Sequence, residues 1–206
     1  MSCIQDLKSN LKNNVKSLCS LLPSSEDNVY RCCQGSYIVK LFNHTDADDN
    51  KIRKELSIYD RLAQTQFREY FSDKPELFTD DQGKALIYET SPDIFTLYYL
   101  IFDSRPENVE CKKFVYFVVE KVVAMLEELN RNGIYHGDIH DGNVIFNCKT
   151  KKVQFIDVES VKILPFDDVN AKSTQKQITS DVEMIEYYKN KLASLDQKLR
   201  KHGVDD

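Results

Sequence analysis

The sequence predicts an α+β fold in which a small β-rich N-terminal lobe precedes a reduced helical C-terminal lobe. Three observations predict it. Two apolar runs, Val29-Tyr30-Arg31-Cys32-Cys33 and Tyr37-Ile38-Val39-Lys40-Leu41-Phe42, flank the turn residues Gln34-Gly35-Ser36 and read as a β-hairpin. From Cys111 to Asn132 the positions Phe114, Phe117, Val118, Val122, Met125 and Leu129 form a long stripe at helical spacing, with Gly133 as the stop. Two further short runs, Val144-Ile145-Phe146 and Val153-Gln154-Phe155-Ile156, make a second strand pair before a terminal helix near residues 179–201. At 206 residues the chain is sized for one domain, residues 1–206, split into an N-lobe of about 1–89 and a C-lobe of about 90–206.

The remaining elements follow the same rules. Ile4, Leu7, Leu11, Val15, Leu18 and Leu22 recur at helical spacing and predict one amphipathic helix ending at Pro23. Pro23-Ser24-Ser25-Glu26-Asp27-Asn28 is turn chemistry. After the hairpin, a polar stretch over 43–50 leads into Ile52, Leu56, Tyr59 and Leu62, a helix of about three turns with Glu55 on its adjoining face. Ala85-Leu86-Ile87-Tyr88 is a strand following a Gly83 turn, and the hinge is expected at Glu89-Thr90-Ser91-Pro92.

Composition removes several function classes. Lys and Arg total 28 against 33 Asp and Glu, giving a net charge of -5 and no global attraction to nucleic acid or anionic lipid. No nucleic-acid partner is expected. No stretch of about 18 apolar residues occurs and the N-terminus lacks an uninterrupted apolar run, which argues against a membrane span or secretion and for a cytoplasmic location. The six cysteines show no C-x-x-C pair and no His at ligand spacing, so neither a zinc site nor a disulfide framework is expected. Reduced thiols fit this reading, with Cys32 and Cys33 as small buried hydrophobes.

The chemistry concentrates in His136-Gly137-Asp138-Ile139-His140-Asp141-Gly142-Asn143, followed fourteen residues after Asn143 by Asp157. Phosphoryl transfer needs an acceptor for the substrate hydroxyl proton and two hard oxygen ligands for magnesium on the phosphates. Asp138 and Asn143 lie on one tight loop, and Asp157 arrives on the following hairpin. His136 is expected to pack and orient the loop, whereas His140 and Asp141 read as solvated loop residues.

This run resembles the protein-kinase-like superfamily, whose catalytic loop reads H-x-D-x-x-x-x-N and whose metal-binding Asp follows a short hairpin. The resemblance implies a two-lobed protein-kinase-like fold, ATP and Mg2+ as cofactors, Asp138 as catalytic base, and Asn143 and Asp157 as magnesium ligands. Lys40, in Tyr37-Ile38-Val39-Lys40, matches the lysine that holds the α- and β-phosphates, and Glu55 matches its ion-pair partner. Glu89, at the expected hinge, completes the nucleotide-binding set with Asn143 and Asp157.

Departures from the protein-kinase pattern set the subclass. Gly137 stands where protein kinases carry the arginine that receives an activation-loop phosphate, and Glu159 stands where D-F-G has its glycine. Only 23 residues separate Asp157 from Asp181, which resembles the Asp that braces the catalytic loop, with no A-P-E between, and 25 residues follow. These features look more like aminoglycoside, choline and ethanolamine kinases and lipopolysaccharide-core sugar kinases. The implied activity is transfer of the γ-phosphate of ATP to a hydroxyl of a small molecule. A minimal atypical Ser/Thr protein kinase with a protein substrate and a pseudokinase-type binding or inhibitory module are the alternatives. A full glycine-rich loop is missing, leaving Ser24, Ser25 and Asn28 to face phosphate. Acceptor contacts are expected from residues 91–110 and 160–178, and Glu159, Asp167 and Asp168 are candidate contacts to a cationic acceptor.

Overall fold

The computed structural model describes residues 3–22, 28–103, 109–164 and 166–200. The chain is mixed α+β, sheet-rich in its N-terminal part and helical in its C-terminal part. It divides into two units, Met1–Asp60 with Asp73–Ile94, and Arg61–Ser72 with Phe95–Asp206. The expected boundary after residue 89 therefore falls a few residues later, and the segment 61–72 belongs to the second unit. That segment is held there by backbone and side chain: Ser72 N–H donates to Phe155 O at 2.9 Å and Gln154 Nε2 donates to Phe71 O at 2.6 Å.

In the first unit, strands β1 (Ser20–Leu21), β2 (Val29–Cys32), β3 (Tyr37–Phe42), β4 (Glu76–Asp80) and β5 (Gly83–Glu89) form one antiparallel sheet in the order β1-β2-β3-β5-β4. Alternation along β3 and β5 sorts their side chains onto two faces. Val39, Leu41, Ala85 and Ile87 meet Leu7, Leu11 and Val15 from the helices α1 (Cys3–Ser9) and α2 (Leu11–Leu18). Phe42, Leu86 and Tyr88 meet Ile52 and Leu56 of α3 (Asp46–Leu62). The hairpin turn expected at Gln34-Gly35-Ser36 is present, with Cys33, Gln34 and Gly35 all at positive φ. Helix α3 begins at Asp46, earlier than its apolar stripe predicts, because Thr45 Oγ1 accepts the Asp48 N–H at 3.1 Å and three Asp residues occupy its first turn.

Two expectations for the N-terminal segment are corrected. The single helix over 4–22 is two helices and a strand: the Asp80 carboxylate accepts the Leu11 N–H at 3.0 Å and so starts α2 afresh, while Ser20 and Leu21 pair with Arg31 and Tyr30. The apolar stripe correspondingly ends at Val15, and Leu18 is exposed. The thiols are not all reduced. Cys3 is bonded to Cys33 and Cys19 to Cys32, joining the N-terminal helical segment to the end of the β2–β3 hairpin, and Cys148 is free. The argument from reduced thiols to a cytoplasmic location thereby loses its basis. Among the described residues no helix is long and apolar enough to cross a membrane.

In the second unit, α4 (Val109–Arg131) buries Val118, Val119, Val122, Leu126 and Leu129, and Gly133 at φ 73 ends it as the sequence predicts. It packs against α5 (Lys172–Arg200), which begins seven residues before its expected start. Strand β6 (Ile94–Thr96), at whose first residue the unit boundary falls, joins β8 (Val144–Asn147) and β9 (Val153–Phe155) in the order β6-β8-β9. Between α4 and β8, the two-residue strand β7 (Ile134–Tyr135) pairs with β10 (Lys162–Ile163). A π-helical turn, Tyr99–Asp103, precedes α4.

Candidate active site

The loop between β7 and β8 hangs on one buried carboxylate. Asp181 of α5 is fully buried, its Oδ2 accepting the His136 N–H and its Oδ1 the Gly137 N–H, each at 2.7 Å. With its amide nitrogen turned toward this carboxylate, Asn130 of α4 supplies a further donor 3.3 Å from Oδ2. Burial raises the Asp181 carboxyl to about 6, and the two backbone donors offset only part of that rise.

The neighbouring side chains account for the glycine at position 137. Gly137 sits at φ 79, where a Cβ would lie 1.9 Å from Gln177 Cγ and 3.0 Å from Ser160 O, so a side chain fits there only if the Gln177 side chain of α5 moves aside. His136 is buried, stacked on Phe71 with ring centroids 6.3 Å apart and edge-on to Phe155. Its Nε2–H donates to Ile156 O at 2.9 Å, since a carbonyl can only accept. Burial pushes its pKa down to about 4, which keeps the ring neutral. His136 thus packs and orients the loop, the role its sequence context predicts.

Two predicted residues are joined in this unit, and the backbone brings the third beside them. Asn143 Nδ2 donates to Asp138 O at 2.9 Å and lies 3.4 Å from Asp138 Oδ2, tying the base candidate to the metal-ligand candidate. The β8–β9 register sets Val144 opposite Phe155, and the Ile156 N–H donates to Asn143 O at 3.0 Å. Asp157 follows immediately and is exposed, with φ 60 and ψ 69. That left-handed backbone is costly for a residue with a Cβ and is more readily adopted by Asp than by most side chains.

With the Asn143 nitrogen directed at Asp138, the amide oxygen is the atom by which Asn143 could hold a cation. An amide oxygen and a carboxylate are hard donors of the kind magnesium takes, with phosphate and water oxygens completing its shell. Among the described residues no three His, Cys, Asp or Glu side chains gather in a group that could hold a metal ion.

In the first unit, Lys40 Nζ lies 3.6 Å from Glu55 Oε2. Strand alternation turns Lys40 to the α3 face of the sheet, and Glu55 is buried there, with Tyr88 Oη donating to its other oxygen. Glu89 is exposed at the end of β5, opposite Tyr37 and three residues beyond Leu86, the cross-strand partner of Lys40. Asn28 is exposed and its carbonyl accepts the Leu41 N–H at 2.9 Å; Ser24 and Ser25 lie outside the described residues.

Among the acidic candidates for an acceptor, Asp167 is already engaged: it accepts from Arg61 Nη1 at 3.1 Å and from the Ile163 N–H at 2.8 Å. Asp168 is exposed and caps the Asn170 N–H, and Glu159 is half-buried in a short helical turn. One expectation for the loop is corrected. Asp141 is not a solvated residue: it is half-buried and paired with Lys191 of α5 at 3.3 Å. Sequence reasoning missed this pair because Lys191 is fifty residues downstream. A signal does exist in α5, where the buried residues Thr174, Asp181 and Tyr188 recur every seven positions and mark the face turned to the unit's interior.

Compared with protein-family models and with curated proteins, the chain matches none.

Proposed function

We propose that this chain is an ATP- and magnesium-dependent phosphotransferase of protein-kinase-like fold that moves the γ-phosphate of ATP to an alcohol hydroxyl, with Asp138 receiving the hydroxyl proton. The observation that carries this reading is the Asn143–Asp138 hydrogen bond, with the Ile156 N–H bond to Asn143 O setting Asp157 next along the chain. Asp138 is exposed, so its carboxylate is accessible to a substrate hydroxyl. Asn143 and Asp157 would hold magnesium, whose charge offsets that of the phosphates when bound. In the first unit the Lys40 ammonium is oriented by Glu55 and serves as the phosphate-binding cation, with Glu89 assigned to nucleotide contacts.

A small hydroxylated acceptor is favoured over a protein by the short interval between Asp157 and Asp181, which carries no A-P-E motif. Changing Asp138 to Asn is expected to lower turnover at least about 100-fold, while magnesium-ATP still raises the melting temperature. Unchanged turnover would sink the assignment. Labelled ATP offered to amino sugars, amino alcohols and intact proteins side by side identifies the acceptor class, and labelling confined to protein would make this a minimal protein kinase.

A further inference from the structure

The catalytic-loop candidate is anchored to α5 upstream of Asp138 by Asp181, and a second set of contacts from the same helix reaches it downstream. Lys191 Nζ lies 3.3 Å from Asp141 Oδ2, with both side chains largely withdrawn from solvent at 17% and 11% exposure. Tyr187 Oη accepts from Lys191 Nζ at 3.1 Å, and the ammonium sits 5.1 Å from the Tyr187 ring centroid. Tyr188 is fully buried, its phenol pushed up by burial and then by the neighbouring Asp141 carboxylate. The Tyr188 hydroxyl and Asp141 Oδ1 are a buried donor and a buried acceptor, and the Asp141 carboxylate acts directly on the phenol. The Asp141 carbonyl accepts the Tyr98 N–H at 2.9 Å, so both backbone and side chain of this residue are held.

A charge pair removed from water to this degree is costly unless its geometry is satisfied, and removing one partner leaves the other charge stranded. Here the pair lies three residues past the base candidate and two before the metal-ligand candidate. The rigid end of the loop thus includes Asp141, whose displacement would move Asp138 and Asn143 together.

We propose that Lys191 is a positioning residue for phosphoryl transfer: through Asp141, with Tyr188 beneath, it clamps the downstream flank of the loop and holds Asp138 and Asn143 in register. The proposal rests on the phosphotransferase reading for its kinetic consequence and on the loop alone for its structural one. Asp181 fixes where the loop begins, and Lys191 fixes where it turns back toward β8.

The test uses the full chain with Lys191→Met, Lys191→Arg, Asp141→Asn and the Lys191→Met/Asp141→Asn double variant. Lys191→Met is expected to lower kcat by about 10- to 100-fold, the loss that misplacement of a reacting group brings, while KM for ATP changes less than about threefold. Lys191→Arg restores most of the loss because it keeps the charge. The double variant is no worse than the poorer single one, because the two side chains act as one unit. Hydrogen exchange of the amides over residues 136–143 is measured on the same proteins and is expected to quicken in Lys191→Met and return toward wild type in Lys191→Arg. Wild-type exchange and kcat in Lys191→Met overturn the clamp, as does a kcat loss that Lys191→Arg fails to reverse. A wild-type chain without ATP turnover overturns the phosphotransferase reading and the kinetic role with it, while the exchange measurement separately decides whether the clamp exists.

Discussion

Replacing Asp181 by Asn should reveal two opposing pH dependences that cancel in the wild-type protein. Asp181 is raised from 3.8 to about 6, so between those values the folded state binds a proton that the unfolded state has released, and stability falls as pH rises. At about 1.4 kcal/mol per pH unit this amounts to about 3 kcal/mol lost on going from pH 4 to above 6. His136 is lowered from 6.5 to about 4, so over nearly the same window the unfolded state binds the extra proton and stability rises, again by about 3 kcal/mol. The two groups are joined by the His136 N–H to Asp181 bond, and their slopes offset each other. The Asp181→Asn variant loses one slope and keeps the other. The difference in unfolding free energy between wild type and variant should then shrink by about 3 kcal/mol between pH 4 and pH 7, every other titrating group cancelling in the comparison. The variant also carries a pH-independent cost of about 1–3 kcal/mol, since Asn offers one acceptor where Asp181 offers two and leaves a backbone N–H facing an NH2 group. Urea unfolding followed by far-UV circular dichroism at half-unit pH steps measures both quantities. A difference that stays constant from pH 4 to pH 7 would refute the reasoning, because it would mean that Asp181 titrates alike in the folded and unfolded chain.

Two further outcomes follow from the geometry. Gly137→Ala combines a left-handed backbone with a Cβ placed 1.9 Å from Gln177 Cγ, and is expected to cost about 2–4 kcal/mol in urea unfolding, with part recovered when Gln177→Ala is added; full stability in the single variant would show that the loop can move away from α5. The disulfides Cys19–Cys32 and Cys3–Cys33 span separations of 13 and 30 residues, for which the chain-entropy account gives about 3–4 kcal/mol each and, because the smaller loop nests in the larger, less than the sum for both. Reductant should therefore lower Tm by at least about 6 °C, and a Tm indifferent to reductant would mean that these bonds do not hold the first unit together.

What the sequence made legible was local. The Asp138 to Asn143 spacing, the α4 stripe ending at Gly133 and the β2–β3 turn are each written within about twenty residues, where periodicity and turn chemistry operate. Lys40 and Glu55 were singled out by the resemblance and not by periodicity, although the two-residue period of β3 and the 3.6-residue period of α3 are what let the two side chains face each other once the elements pack. The unread features depend on partners far along the chain. Asp80 restarts the helix at Leu11 from 69 residues away. Strands β7 and β10 are two residues each and exist only through pairing with one another, and β4 exposes most of its residues, so none presents an apolar rhythm. Two of the four buried contacts of α5, Thr174 and Asp181, are polar, and Tyr188 adds a hydroxyl. A helix recognised by its apolar stripe is thus underestimated where hydrogen bonds to a neighbouring loop fix it instead. The same polar face carries the loop's anchor at Asp181 and lies beside its second contact at Lys191. The length that hydrophobic patterning failed to assign to α5 and the Asp141 pairing it failed to foresee therefore have one physical origin, a helix held by the loop it supports.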